Sequence, residues 1–284
     1  MFEPTSSSAS SDASGEAEGN AKAKAQVSVV VPFGGGATRT QLPEDELARL
    51  APAERMALLR RSLDGPIVFT HGFGIEGQLL LHWIAERNID IDVVALDTGR
   101  LFPETYELWE CTERRYGRRV RAIYPQHREL ERMVAEQGIN GFYESKEARM
   151  RCCDVRKTRP LDLALKGASA WIAGLRGDQN ANRRKGGLVS FEAARGLIKL
   201  NPLYDWTREA VLAEVKAHDV PINSLHAKGY ASIGCAPCTR AIAPGEPERN
   251  GRWWWEQNGS SECGLHLPRK AAPARAEALQ AGCG

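Results

Sequence analysis

Residues 66–100 read PIVFTHGFGIEGQLLLHWIAERNIDIDVVALDTGR and hold two strand-and-turn units in succession. Pro66–Thr70 (PIVFT) is a short apolar run, as expected of a strand buried on both faces. The turn HGFG follows, then a helical stretch over Gln78–Ala85. Asp92–Leu96 (DVVAL) is a second strand, leading into DTGRLFP and a helix that opens near Pro103 and Glu104, where proline suits the first turn. The alternation continues with a strand at Arg119–Tyr124, a helix at Arg128–Gln137, strands at Ala170–Gly174 and near Leu197–Leu200, and a helix from Thr207 to His218. This pattern predicts an α/β fold, with a mainly parallel sheet and helices on both faces. Such sheets bind ligands at the carboxyl ends of their strands, so the turns after the first two strands are the places to look.

Outward from this core, residues 1–26 carry six Ser and six Ala with Phe2 as the only aromatic, and they read as a disordered tail. Residues 27–64 read as a linker followed by N-terminal helices. VSVVVPFGGG, residues 27–36, has no Gly-Lys-Ser/Thr after it, and Leu47, Leu50, Met56 and Leu59 recur at helical spacing. Residues 65–245 form the α/β domain, and 246–284 a C-terminal segment and tail. The whole chain has 284 residues, 42% hydrophobic, with Lys+Arg 38 against Asp+Glu 36. A net charge of +2 gives no broad basic face, so nucleic acid is not an expected partner, although a local anion pocket is. No apolar run reaches the ~18 residues of a membrane span. Seven cysteines, an odd count with two tight pairs and no apolar leader, point to a reducing, cytoplasmic compartment.

Several segments carry chemistry. In THGFGIEGQ, Gly72, Gly74 and Gly77 let the backbone approach an anion at a helix N-terminus, and Glu76 reads first as a helix cap and second as a ligand contact. In LDTGR, Asp97, Thr98 and Gly99 bring oxygens and backbone N–H groups to the same sheet edge. Cys152-Cys153 precedes a helical stretch, DVRKTRPLDLAL, and Cys235-Ala-Pro-Cys238 follows GYASIG. Four thiolates from two segments suit a soft-metal cage; a redox dithiol and unrelated buried thiols are the other readings, and four cysteines do not separate zinc from an iron–sulfur cluster. Cys263, in GSSECGLH, is a nucleophile candidate on a segment built of small residues, with His266 nearby. Arg249 and Arg252, just before Trp253-Trp254-Trp255, suit an oxyanion, while the tryptophans read as core anchors.

Taken together, CC-x3-K-x2-P-L from Cys152 to Leu161, LDTG, Gly174-Leu175-Arg176, GCAPCT, GRWWWE and ECGLH resemble the assimilatory adenylyl-sulfate (APS) and phosphoadenylyl-sulfate (PAPS) reductases, from about Pro66 to His266. The resemblance implies an adenine nucleotide alpha-hydrolase-like (Rossmann-like) fold with a mobile C-terminal segment. It implies one [4Fe-4S] cluster held by Cys152, Cys153, Cys235 and Cys238. Cys263 would attack the sulfur of adenylyl sulfate, expel AMP and carry an S-sulfocysteine, which reduced thioredoxin would cleave to sulfite. Gly74, Glu76, Asp97, Thr98, Gly99, Lys157, Arg176, Arg249 and Arg252 would contact the substrate, with His266 in support. The chain departs from the family pattern at Gly72, at Gly77 and at Gly177-Asp178-Gln179. Only 18 residues follow His266, so the thioredoxin is expected to be a separate protein. The residues leave open APS against PAPS, or both, and whether the chain is a homo-oligomer. A non-catalytic metal-cluster protein is the other class considered; it would have no need of ECGLH.

Overall fold

The computed structural model describes residues 28–33, 36–41, 44–256, 262, 264 and 265. The tail at 1–26, Cys263, His266 and everything beyond lie outside the described residues. Strands β1 (Ser28–Phe33) and β2 (Gly36–Gln41) pair antiparallel, from Ser28 opposite Gln41 to Phe33 opposite Gly36. Helices α1 (Glu44–Arg49) and α2 (Pro52–Ser62) follow, then β3 (Ile67–Thr70), α3 (Ile75–Glu86), β4 (Asp92–Leu96), α4 (Pro103–Tyr116), β5 (Arg121–Ile123) and α5 (His127–Gln137). After α6 (Lys146–Cys153) and α7 (Arg159–Ala164) come β6 (Ala170–Ala173), the single turn α8 (Ala181–Arg184), β7 (Val189–Glu192), β8 (Leu197–Leu200) and α9 (Arg208–Ala217).

The main sheet has the order β5-β4-β3-β6-β8-β7, parallel throughout except for β7, which runs antiparallel to β8 at one edge. Alternate residues of each strand feed opposite layers. Phe69, Val93, Ala95, Ile172 and Ile198 face one core, with Met56 and Leu59 of α2, Leu79, Leu80 and Ile84 of α3, and Val211 and Val215 of α9. Val68, Val94, Trp171 and Ala173 face the other, under Leu161 and Ala164 of α7. Helices on both faces follow directly from this period of two along buried strands. β3 leads outward through β4 to β5, and the chain then returns to lay β6 on the other side of β3. The strand order therefore reverses between β3 and β6, and a crevice opens at their carboxyl ends.

Two expectations are corrected. The linker expected within 27–64 contains the β1–β2 pair, and β-branched Val29–Val31 followed by glycines had the composition of a hairpin. The helices expected before the main domain are part of its core, because Leu47, Met56 and Leu59 are fully buried in the cluster that contains β3. Arg55 fastens them, donating to Leu47 O at 2.8 Å, Pro202 O at 2.7 Å and both carboxylate oxygens of Asp205 at 2.6 and 2.7 Å. Cys152-Cys153 precedes a helical stretch as expected, and the helix also extends before it: α6 runs through a π-helical turn, Asp154–Thr158, and on into α7.

Because α2 shares the sheet's core, Met56→Ala is expected to cost the whole domain about 2–5 kcal/mol in one cooperative urea transition. An unchanged midpoint would separate these helices from the domain.

Candidate active site

The crevice between β3 and β6 is a cleft of about 240 Å³. Gly74 is the N-cap of α3, with extended backbone, and borders it. The helix begins at Ile75, three residues before the expected start, so Gly77 lies in its first turn rather than in an anion-binding loop. Packing explains why no side chain stands there: a Cβ at Gly77 would come 2.9 Å from His71 Nδ1, and one at Gly174 would come 3.3 Å from the Gly77 nitrogen. Glu76 makes an ion pair with Arg176 and accepts from Gln179 Nε2 at 3.1 Å. The buried Arg176 also donates to Asp178 at 2.9 Å and Glu248 at 2.7 Å, so three carboxylates already hold it.

The turn after β4 joins the cleft to the thiols. Asp97 Oδ1 accepts from the Gly99 N–H at 2.8 Å and from Tyr106 OH at 2.9 Å, and Gly99 takes φ +68°, which favours glycine. Thr98 Oγ1 lies 3.3 Å from Cys235 Sγ, and the Thr98 carbonyl accepts from Arg156 Nη1 at 2.6 Å. Cys152, Cys153, Cys235 and Cys238 are all buried in one cluster with Met133, Phe142, Val155 and Trp253. A second, smaller cavity lies among them; Arg100, Arg149, Arg156 and Lys157 complete its wall. Lys157 and Cys235 border both cavities. The loop bearing Cys235 and Cys238 is fixed by Arg100 O, which accepts from the Ala236 N–H at 2.8 Å, and by Tyr143 OH, which donates to Pro237 O at 2.7 Å.

Three of the sulfurs differ electrostatically. Burial pushes Cys238 up to about 11, and burial also raises Cys152. At Cys235 burial acts in the same direction, but Lys157, Thr98 and Arg252 outweigh it and the pKa falls. Four thiols from two segments are soft donors of the kind that hold zinc or an iron–sulfur cluster.

The C-terminal end of the described chain closes the site. Trp253, at φ +48°, is buried and carries the guanidinium groups of Arg149 and Arg252 at 4.7 Å and Arg249 at 5.9 Å from its ring centre. Trp253 is thus a core anchor as expected, whereas Trp254 is half exposed. Arg149 pairs with Glu256 at 2.6 Å and donates to the Glu262 carbonyl at 2.9 Å. The Glu262 carboxylate is buried between Arg183 at 2.7 Å, Asn180 at 2.8 Å and Arg249 at 3.5 Å. Leu265 borders the cleft and packs on both the α7 layer and the thiol cluster. Arg249 and Arg252 line the cleft. Arg149, Arg156 and Arg183 were not singled out from the sequence; arginine is common on surfaces, and only the fold turns these three inward.

His71, just past β3, is buried with no well-formed hydrogen bond at either ring nitrogen, and burial takes its pKa to about 3 against a weaker opposing pull from Gln78 and the Gly77 backbone. Below about pH 6.5 the unfolded chain takes up a proton that the native His71 refuses, so its contribution is complete above that pH and is lost on acidification towards pH 3. His82 and His226 are shifted in the same direction by burial. Urea unfolding from pH 7 down to 4 is expected to show stability falling, and His71→Gln should flatten the slope by up to about 1.4 kcal/mol per pH unit. Equal slopes for the two proteins would show His71 protonated in the folded state.

Residues 66–241 match the family model of the phosphoadenosine phosphosulfate reductase domain. The chain is 50% identical over 228 residues to the adenosine 5′-phosphosulfate reductase of Rhizobium meliloti, covering 80% of this chain and 86% of that one. It is 46% identical over 237 residues to the enzyme of the same name from Allochromatium vinosum, covering 84% and 91%. Among solved structures, the phosphoadenylyl-sulfate reductase of Candida auris in its phosphate complex superposes with a TM-score of 0.59 at 26% identity, over 68% of this chain and 92% of that one. The sheet order, the crevice and these matches agree, and the chain belongs to the phosphoadenosine phosphosulfate reductase family, with its adenine nucleotide alpha-hydrolase-like fold.

Proposed function

We propose that this chain reduces adenylyl sulfate to sulfite and AMP in sulfate assimilation, in the cytoplasm. The observation that carries the reading is the shared wall: Lys157 and Cys235 border both the cation-lined cleft and the thiol pocket. A phosphosulfate in the cleft would meet Lys157, Arg249 and Arg252, which neutralise charge that would otherwise repel an incoming thiolate. Gly74 and the N–H groups at the start of α3, with Thr98 across the crevice, suit the nucleotide's polar edges, while Gly99 lies outside the cleft's lining. Asp97 acts by holding the Gly99 turn. Glu76 borders the cleft and is braced from behind by Arg176, which is not among the lining residues and reaches substrate only if it is released from its carboxylates.

Cys263 is the nucleophile in this reading. Its sulfur forms a bond to the sulfate sulfur, the S–O bond to phosphate breaks, and AMP leaves with that electron pair. A thiolate of reduced thioredoxin, a separate protein, then attacks Cys263 Sγ and expels sulfite, and its second thiol resolves the mixed disulfide. Glu262 and Leu265, close by in sequence, are held at the cleft, which supports the assignment. His266 assists from the same segment. Cys152, Cys153, Cys235 and Cys238 would hold a [4Fe-4S] cluster, whose negative charge Arg100, Arg149, Arg156 and Lys157 offset. Bound there, it would supply a delocalised charge centre that tunes Lys157 beside the cleft.

Without thioredoxin, adenylyl sulfate is expected to release one AMP per site and leave an adduct of about 80 Da on Cys263. Cys263→Ser should bind nucleotide and form no adduct, while Cys283→Ser behaves as wild type. An adduct on another cysteine overturns the mechanism. Sulfite release from APS and PAPS, measured side by side, identifies the substrate. Anaerobic protein should contain about four irons per chain, and Cys238→Ser should lose iron and activity together; full activity with zinc alone would remove the cluster. Gly234→Ala is expected to raise KM about 10–100-fold with the fold intact. Its Cβ would displace the Arg252 guanidinium, and a charged hydrogen bond is worth about 1.5–3 kcal/mol.

A further inference from the structure

On the sheet face away from the thiols, α3 and α9 bring together a second cluster of metal-ligating side chains. His82 and Glu86 are one turn apart on α3, and His218 caps the C-terminus of α9. One ligand atom from each lies within 4.8 Å of the other two. His82 Nε2 lies 3.5 Å from Glu86 Oε2, His218 Nε2 lies 3.3 Å from Glu214 Oε2, and the two imidazole rings are 4.9 Å apart.

A separate observation points to a ligand. His82 is only 8% exposed, and its Nε2 is buried without a hydrogen-bond partner although a carboxylate oxygen stands close by. An orphaned nitrogen beside a carboxylate is met either by a proton on the ring or by a cation between the two groups. Burial lowers the His82 pKa, with Glu86 and Glu214 opposing and His218 and Arg115 adding to the shift, so the ring is neutral at pH 7 with a lone pair to give. Tyr116 OH, 3.4 Å from Nδ1, occupies the other nitrogen and sets the ring's orientation. The carbonyl end of α9 adds partial negative charge at the same place. Arg115 is the opposing charge; it is engaged by the His218 carbonyl at 3.0 Å and by Asp219 at 3.4 Å.

We propose that His82, Glu86 and His218 form a zinc site that staples α3 to α9, with Glu214 or water in the fourth position. Two imidazoles and a carboxylate are a borderline donor set that suits Zn²⁺ over Mg²⁺ or Ca²⁺. Binding requires both helices in their native places, so zinc stabilises the folded chain by mass action.

The test is equilibrium dialysis of anaerobic, iron-loaded protein against Zn²⁺, with both metals measured before and after. The expected result is one zinc per chain with iron unchanged, and a higher Tm in zinc. Glu86 and His218 are exposed, so Glu86→Gln and His218→Ala should fold normally. Each should weaken zinc binding at least about tenfold, abolish the Tm gain and leave sulfite production intact. Uptake of no zinc by the wild type, uptake only with loss of iron, or equal affinity in His218→Ala would overturn the site.

Discussion

Buried positive charge is the constraint around which this site is organised. Arg149, Arg156, Arg176, Arg249 and Arg252 are all buried, and a guanidinium cannot shed its proton to escape the cost of leaving water. Each must find negative charge or a dipole. Arg149 has Glu256, Arg176 has Glu76, Glu248 and Asp178, and Arg249 shares Glu262 with Arg183. Arg156 has the Thr98 carbonyl and lies beside the Cys152 thiol. Arg252 has no carboxylate among the described residues; it donates to the Ile233 carbonyl at 3.4 Å, its Nε makes no hydrogen bond, and it rests on the Trp253 ring. The charge left over in this arrangement therefore faces the cleft and the thiols, where an anionic ligand or a thiolate cluster would complete it.

The same accounting separates structural from functional cations. Arg176 stood with the substrate contacts in the sequence reading because the resemblance carried by Gly174-Leu175-Arg176 implied it. In the fold its carboxylates hold three separate segments, so its first effect is to tie α3, the loop after β6 and the loop bearing Glu248 into one rigid wall. A wall fixed in this way needs no reorganisation when charge develops beside it, and this is what makes fixed dipoles and charges effective in catalysis.

Much of the fold was legible because parallel strands buried on both faces must be continuously apolar: PIVFT, DVVAL, the strand at Ala170 and LIKL were all visible as such. β7 was not, since an edge strand of alternating exposure, VSFE, carries a weak pattern. The four pocket cysteines and the two turns were legible through their spacing. The ion pairs were not, because Glu76–Arg176 and Arg183–Glu262 join residues far apart in sequence and no local pattern marks them. The start of α3 was misjudged for a related reason. Gly77 looked like turn chemistry, and only the opposing Gly174 and His71 show that it is a close-packing position.

The helix that bears Cys152 and Cys153 shows how one residue can set a site's geometry. Pro160 sits just inside α7, but α6, the π-helical turn and α7 form one continuous helix from Lys146 to Ala164, so this proline is interior to it. A proline there has no N–H to donate four residues back and crowds that carbonyl, which belongs to Arg156. The ladder has to relax on the N-terminal side of Pro160, and the π turn at Asp154–Thr158 is where it does so. Arg156 and Lys157 lie within that turn, four residues after Cys152 and Cys153, so thiols and cations share a helix face while the widened turn is free to set the reach of the cations. Arg156 uses it to grip Thr98, and Lys157 to stand between the two cavities. The proline in CC-x3-K-x2-P-L is thus a geometric requirement of the cysteines and the lysine that precede it, which accounts for a motif that links residues of such different chemistry.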